Sequence, residues 1–384
     1  MTDERRPQRR IWVGAIAVLF CLGASSDGLA DAPGPREYRS EKHAFRLVPV
    51  GGPFDQAWGM AFLPDGRMLV TELDGNLRIL AAGGKPSDPL QGLPRIEAYG
   101  QGGLMDVALD PDFAANGRIY LSHILDGAGG RTTAVSTARL DGDRLHGFET
   151  VFVGRAASRT GRHFGSRLRF APDGTLFVTI GDRGYRPSAQ DLGNHAGTTL
   201  RLGPDGAAPP DNPFVGRAGA LPEIWSYGHR NPQGLAFDPA TGRLWSQEHG
   251  PRGGDEVNLI ERGRNYGWPV ITHGRNYSGT KITDETARAG MEQPAAYWTP
   301  SIAPSGLTVY RGRWFPRWDG NLFVGALRAQ LLVRLELDGD RVVHEERLLA
   351  DFGNRIRDVR TGPDGLIYLA LDENDAHIWR LEPL

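Results

Sequence analysis

A chain of 384 residues with 44 basic against 46 acidic side chains, a formal charge of −2, offers no electrostatic basis for binding a polyanion, so a nucleic-acid partner is excluded. Its 52 glycines and 27 prolines cut the apolar residues into short Val/Ile/Leu/Phe/Tyr runs, which excludes a helical bundle and reads as all-β. The single cysteine, Cys21, excludes a disulfide framework.

In chain order, the first element is an export signal over residues 1–30. Arg5, Arg6, Arg9 and Arg10 give a positive start, Ile11 to Ala24 an apolar stretch, and Gly28-Leu29-Ala30 the small residues before a cleavage site, after Ala30. The apolar run is short for a membrane span, a retained anchor being the alternative. Phe20 before Cys21 argues against a lipoprotein. The expected location is periplasmic or secreted, with no stable membrane partner. Residues 31–44 read as an extended lead-in, and the catalytic domain is expected over 45–384.

Six copies of one phrase follow: an apolar stretch, a Pro-Asp-Gly-like turn and a second β-prone stretch. They centre on Pro64-Asp65-Gly66, Asp110-Pro111-Asp112, Pro172-Asp173-Gly174, Phe237-Asp238-Pro239, Trp318-Asp319-Gly320 and Pro363-Asp364-Gly365. A hairpin repeated at such intervals predicts a six-bladed β-propeller with four-stranded antiparallel blades. Short strands of the Leu-x-Arg-Leu type, such as Leu200-Arg201-Leu202 and Val333-Arg334-Leu335, supply further blade strands. The stretch around His43–Val50 and the stretch around His377–Glu382 are expected to pair and close the ring, since an open one leaves bare sheet edges.

Loops from all blades then meet at one axis. His163 precedes the third hairpin and Asp182 follows its second strand, so the two ends of one hairpin bring a base and a carboxylate together; the alternative is a surface histidine and a turn aspartate. Arg230 and Asn231 sit in Gly228-His229-Arg230-Asn231-Pro232, where a guanidinium suits developing negative charge, or simply a solvated turn. In Glu248-His249-Gly250-Pro251-Arg252-Gly253-Gly254-Asp255-Glu256, flexible carbonyls beside acids suit a hard cation, above all Ca²⁺. Asn265-Tyr266-Gly267-Trp268-Pro269 adds aromatics. Arg355 and Arg357, two apart on an extended segment, form a clamp for carboxylates or phosphates, joined by Arg328. No Gly-x-Gly-x-x-Gly turn in a βαβ unit and no Gly-x-Ser-x-Gly elbow is present, so a redox enzyme on this chain needs a non-nicotinamide cofactor.

Taken together, Glu223–Gly234, Glu248–Glu256, Asn265–Pro269 and Arg355–Val359 resemble the soluble pyrroloquinoline-quinone-dependent sugar dehydrogenases, in particular the aldose sugar dehydrogenase branch, over about Val50 to Leu381. The resemblance implies a six-bladed propeller that oxidises aldoses at the anomeric carbon to lactones and passes electrons to an external acceptor. It implies that His163 takes the anomeric proton, that Asp182 supports it and that Arg230 stabilises the reduced quinone oxygen. Gln101, Arg230, Asn231, Trp298, Arg328, Arg355 and Arg357 would hold the quinone, the carbonyls of Gly250 and Pro251 its Ca²⁺, and Glu256 and Tyr266 a separate structural Ca²⁺. Two positions depart from the family: Arg328 stands where relatives use Lys, and His249 where the glucose-oxidising branch has Gln. The absence of long loop insertions suggests a monomer. A second reading is a calcium-dependent lactone or ester hydrolase on the same fold, which would need carboxylate and amide ligands at the axis rather than converging arginines.

Overall fold

The computed structural model describes residues 33–81, 84–127 and 129–384; the expected export signal, with Cys21 and Ala30, lies outside them. Six antiparallel sheets account for nearly all the regular structure. Blade 1 is Ala57–Phe62, Met68–Glu72 and Leu77–Leu80. Blade 2 is Leu104–Leu109, Arg118–Gly127, Gly130–Asp141 and Arg144–Val153. Blade 3 is Leu168–Phe170, Leu176–Ile180, Thr198–Leu202 and Ile224–Tyr227. Blade 4 is Pro232–Phe237, Leu244–Glu248, Asp255–Leu259 and Ala296–Trp298. Blade 5 is Pro304–Val309, Leu322–Ala326, Leu332–Asp338 and Arg341–Leu348. Blade 6 is Ile356–Thr361, Ile367–Leu371 and Ala376–Pro383, completed by Ala44–Phe54 from the other end of the chain.

The repeated phrase is the hairpin between the first two strands of each blade. Leu63 N–H donates to Arg67 O and Ala171 N–H to Thr175 O. The turn passes through a left-handed residue, Gly66 at φ +87° and Gly174 at φ +80°, a conformation in which a side chain is strained. In the looser fifth copy the turn tightens into one 3₁₀ turn, Pro316–Trp318, that drives Trp318 fully into the core.

First strands of successive blades touch one another in a closed ring around the axis. Closure follows the expected pairing: Leu47 faces Leu381 and Phe45 faces Pro383 across the joint between the two ends of the chain. Two blades depart from four strands. Blade 1 has three, with the following loop lying along its outer edge through Ser87 N–H to Ile79 O and Leu90 N–H to Leu77 O. Blade 6 has a fifth, because part of the expected lead-in, Arg36–Arg39, folds back on Ala44–Phe54. Ser40 makes that reversal, its hydroxyl donating to His43 O.

The core lies between blades rather than in one centre. The largest cluster joins blades 5, 6 and 1 and includes Phe45, Trp318, Phe323, Tyr310 and Trp379. Each first strand is buried on both sides, so Leu104, Leu168, Leu235 and Ile356 are wholly enclosed and the ring is a rigid collar for the loops above it.

Candidate active site

The ends of the first and second strands present side chains at one mouth of the axis, and the best-defined pair there comes from blade 3. His163 has a left-handed backbone, φ +58°, fixed by its own N–H donating to Gln101 Oε1 at 2.8 Å. Its Nδ1 lies 2.6 Å from Asp182 Oδ1. Asp182 is buried and receives two more donors, Gly184 N–H on Oδ1 and the Trp268 indole N–H on Oδ2, each at 2.8 Å. Burial alone would raise the aspartate pKa, but the bonds from His163 and the Arg230 charge outweigh it and hold it below the ordinary value. Burial lowers the His163 pKa against the pull of Asp182. The arrangement fixes a neutral imidazole with Nδ1 committed to Asp182 and Nε2 left as the basic atom.

Arg230 is 6% exposed and donates through Nη1 to His249 O at 2.9 Å and Gly250 O at 2.8 Å. Its backbone is held by Glu248, which also bonds His229 Nδ1 at 2.8 Å, and its guanidinium lies 5.5 Å from the Trp268 ring centre. Buried Asn231 accepts from Gly165 N–H and Gln233 Nε2 on its Oδ1, leaving its own NH₂ for a ligand. Gln233 passes the chain on, its Oε1 accepting from Arg357 Nη1 at 3.1 Å.

Arg355 and Arg357 are brought together by one carboxylate. Asp372 Oδ2 takes Arg355 Nη2 at 2.6 Å, and Oδ1 takes Arg357 Nη2 at 2.9 Å. Two guanidiniums on one carboxylate leave a net positive clamp, and Arg355 keeps 42% of its side chain in solvent. Arg328 is exposed, its backbone N–H donates to Ile302 O, and the carbonyl of its neighbour Leu327 accepts from Arg355 Nη1 at 3.3 Å. His249 Nε2 donates to Pro304 O, 2.7 Å away, and burial with the charges of Arg230 and Arg357 pushes its pKa down to about 3. It is therefore a neutral donor that ties blade 4 to blade 5.

Trp298 does not join this group. It is packed among blade 4 and blade 5 side chains, and its indole N–H donates outward to Glu345 Oε2 at 2.8 Å. Its place in strand Ala296–Trp298, the outermost of blade 4, explains this: the fourth strand of a blade is farthest from the axis.

The acidic loop folds around Asp255, which takes Gly250 N–H, Ile302 N–H and Ala303 N–H at 2.8, 2.8 and 2.9 Å. A side chain on Gly250 would collide with the Gly253 carbonyl, so the loop closes only over glycine. The Gly250 carbonyl already accepts from Arg230, whereas Pro251 O receives no protein donor among the described residues. Glu256 is pushed up to about 8 by burial and by neighbouring Glu248, with one bond, from Asn258 Nδ2 at 3.2 Å. Buried Asn258 Oδ1 has no partner. Each of these oxygens keeps acceptor capacity that no protein donor fills among the described residues. The Tyr266 hydroxyl donates to Leu259 O while its ring stacks on His229.

Reading the sequence missed Asp372, Gln233 and the role of Trp268. A signal for the first existed: a carboxylate closes the second strand in four blades, as Glu72, Asp182, Glu248 and Asp372, and each one holds a basic side chain.

The model of the family "Glucose / Sorbosone dehydrogenase" matches residues 54–380. The chain belongs to that family. It is 48% identical over 335 residues to the aldose sugar dehydrogenase YliI of Escherichia coli, covering 86% of this chain and 90% of the relative. Among solved structures, the apo-form soluble aldose sugar dehydrogenase of E. coli superposes with a TM-score of 0.86 at 45% identity, over 88% of this chain and all of that one. The PQQ-bound aldose sugar dehydrogenase of Streptomyces coelicolor gives 0.72 at 30% identity, over 87% and 96%. Family membership therefore rests on nearly the whole propeller, including the loops that carry His163 and Arg230 and the strand that carries Arg357.

Proposed function

We propose that this glucose/sorbosone dehydrogenase family member oxidises aldose sugars at the anomeric carbon, using pyrroloquinoline quinone and Ca²⁺. The observation that carries the reading is the buried His163–Asp182 pair set beside Arg230 and a doubly cationic clamp at one mouth of the axis. A calcium-dependent hydrolase is disfavoured by the same clamp, since an axial hydrolytic cation calls for carboxylates where this mouth presents guanidiniums.

The residues suit a flat, multiply anionic cofactor. Arg355 and Arg357 share a single counter-charge, exposed Arg328 adds a third cation, and the Asn231 NH₂ has no acceptor among the described residues. Gln101 spends its oxygen on the His163 backbone and keeps its NH₂ for a ligand. Pro251 O and Gly250 O would supply two hard oxygens for Ca²⁺, the second of them now accepting from Arg230. Glu256 and Asn258 Oδ1 suit the structural ion. When bound, the quinone supplies the acceptor for a hydride, and hence for two electrons.

His163 Nε2 takes the proton of the anomeric hydroxyl as the C1–H bond breaks, so the sugar loses a proton and a hydride and leaves as a lactone. Asp182 holds the ring in the required tautomer and stabilises the imidazolium that forms. Trp268 keeps Asp182 from rotating, and Arg230 stabilises negative charge developing on an oxygen in front of it. The enclosed setting of His163 excludes water from the proton transfer. Electrons leave to an external acceptor.

The test is reconstitution of the purified protein with pyrroloquinoline quinone and Ca²⁺, followed by an aldose panel with a dye acceptor. Dye reduction that needs sugar, quinone and Ca²⁺ together supports the reading. Lactone hydrolysis with no quinone dependence overturns it.

A further inference from the structure

The other end of the axis holds a second, separate constellation. Arg167 is completely buried on the axis and seals it: Nε donates to Gln233 O, Nη2 to Arg357 O, and Nη1 lies 3.0 Å from Asp358 Oδ1. Below it Arg360 bridges the two aspartates, Nη2 to Asp106 Oδ1 at 2.6 Å and Nε to Asp358 Oδ2 at 2.7 Å. Arg169 reaches Asp106 Oδ2 at 3.2 Å through Nη1 alone. Three guanidiniums thus share two carboxylates, and one positive charge has no counter-charge in the cluster.

Beneath the cluster opens a chamber of about 410 Å³. Its walls are apolar, from Met60, Phe62, Leu109, Phe170, Phe237 and Leu307, and its only charged lining groups are Arg169 and Arg360. Those two keep 16% and 13% of their side chains exposed. Arg169 Nε and Nη2 and Arg360 Nη1 have no acceptor among the described residues. The chamber therefore joins uncommitted N–H donors and an unbalanced charge to a hydrocarbon wall, a pattern of recognition for an anion with an apolar body. Burial and the Arg360 charge push the Arg169 pKa down to about 9, against the pull of Asp106.

We propose that this far chamber binds a small amphiphilic carboxylate, with its carboxylate on Arg169 and Arg360 and its hydrocarbon body against Phe62, Phe170 and Phe237. The site is independent of the dehydrogenase reading, because Arg167 separates it from the catalytic mouth.

The probe is 4-phenylbutyrate, titrated calorimetrically into the purified protein, with 4-phenyl-1-butanol as the uncharged control. The butyrate is expected to bind at least about tenfold more tightly than the alcohol, since the charge-assisted fork is lost. Ala108→Phe, which fills the chamber from a half-buried wall position, is expected to abolish binding, and Arg169→Gln to weaken it by about tenfold. Thr361→Trp fills the same space from blade 6 and replaces Ala108→Phe if that variant melts early. Equal affinity for acid and alcohol overturns the proposal. So does butyrate binding that survives a folded chamber-filling variant, which would place it at the catalytic arginines, or no binding up to about 10 mM.

Discussion

The two mouths of the axis carry the same arithmetic and opposite architecture. At the catalytic mouth two arginines share Asp372; at the far mouth three arginines share Asp106 and Asp358. Each is one positive charge in excess. The first cluster stands at strand ends among long loops, near the hydrogen-bonded His163, Asp182 and Trp268, proposed above as the proton-transfer unit. The far cluster is locked into the first strands themselves and has no base beside it. Excess charge marks where an anion can sit; a buried, oriented base marks where a bond can break.

The comparison breaks most readily at His163. Exchange for Gln is expected to lower kcat by about 10²–10⁴ while quinone affinity stays near that of the parent, because only the proton acceptor is removed. Single-turnover kinetics with a dye and fluorescence titration of the quinone check the two halves. Next in size is Arg167→Met at the boundary between the mouths. It removes one of the buried cations on Asp106 and Asp358 and leaves Gln233 O and Arg357 O without their donor, and it is expected to cost about 3–5 kcal/mol in denaturant unfolding. His163→Gln is expected to unfold nearly as the parent does, so the pair separates chemistry from scaffold.

Arg355→Gln with Arg357→Gln is expected to weaken quinone binding by about tenfold or more, with full turnover recovered at saturating quinone. Normal reconstitution would return the clamp to a structural role. A smaller effect sharpens the base assignment. Because burial lowers the His163 pKa, kcat/KM of the loaded enzyme should rise with pH along a limb centred below the ordinary histidine value of 6.5. The same sign applies to folding: the stability this neutral histidine contributes is present above 6.5 and is lost as pH falls through its folded pKa. Asp182→Asn should move that limb; a limb that stays put would assign it to another group. Smallest is Glu256→Gln, expected to leave the melting temperature in EDTA nearly unchanged and to abolish the gain on adding Ca²⁺.

How much of this was legible in the sequence depended on how local each feature is. The hairpins were readable because Pro-Asp-Gly encodes its own turn, and counting them gave the blades. The His163–Asp182 pair was readable because both residues flank one hairpin. Asp372 was not found as the partner of Arg355 and Arg357, although it follows the neighbouring strand, because a carboxylate at a strand end looks like any turn residue until its blades are aligned. Trp298 was placed in the site on the strength of resemblance, yet its strand position, outermost in blade 4, sends its indole to Glu345. The Arg167 seal was invisible: its partners Asp106, Gln233 and Asp358 come from three blades, and only the closed ring brings them to one point.

The joint between Ala44–Phe54 and Ala376–Pro383 also sets a timetable. The strand that locks the ring is made early and its neighbour last, so no amount of folding during synthesis can finish the circle. The far mouth draws side chains from blades 1 through 6 and the catalytic mouth from blades 3, 4 and 6, so both are completed together, in one late event with a large loop-closure cost. Before that event the chain holds hairpins with bare edges; after it, a collar ready for its ligands. A protein built this way acquires its chemistry only when its last strand is in place.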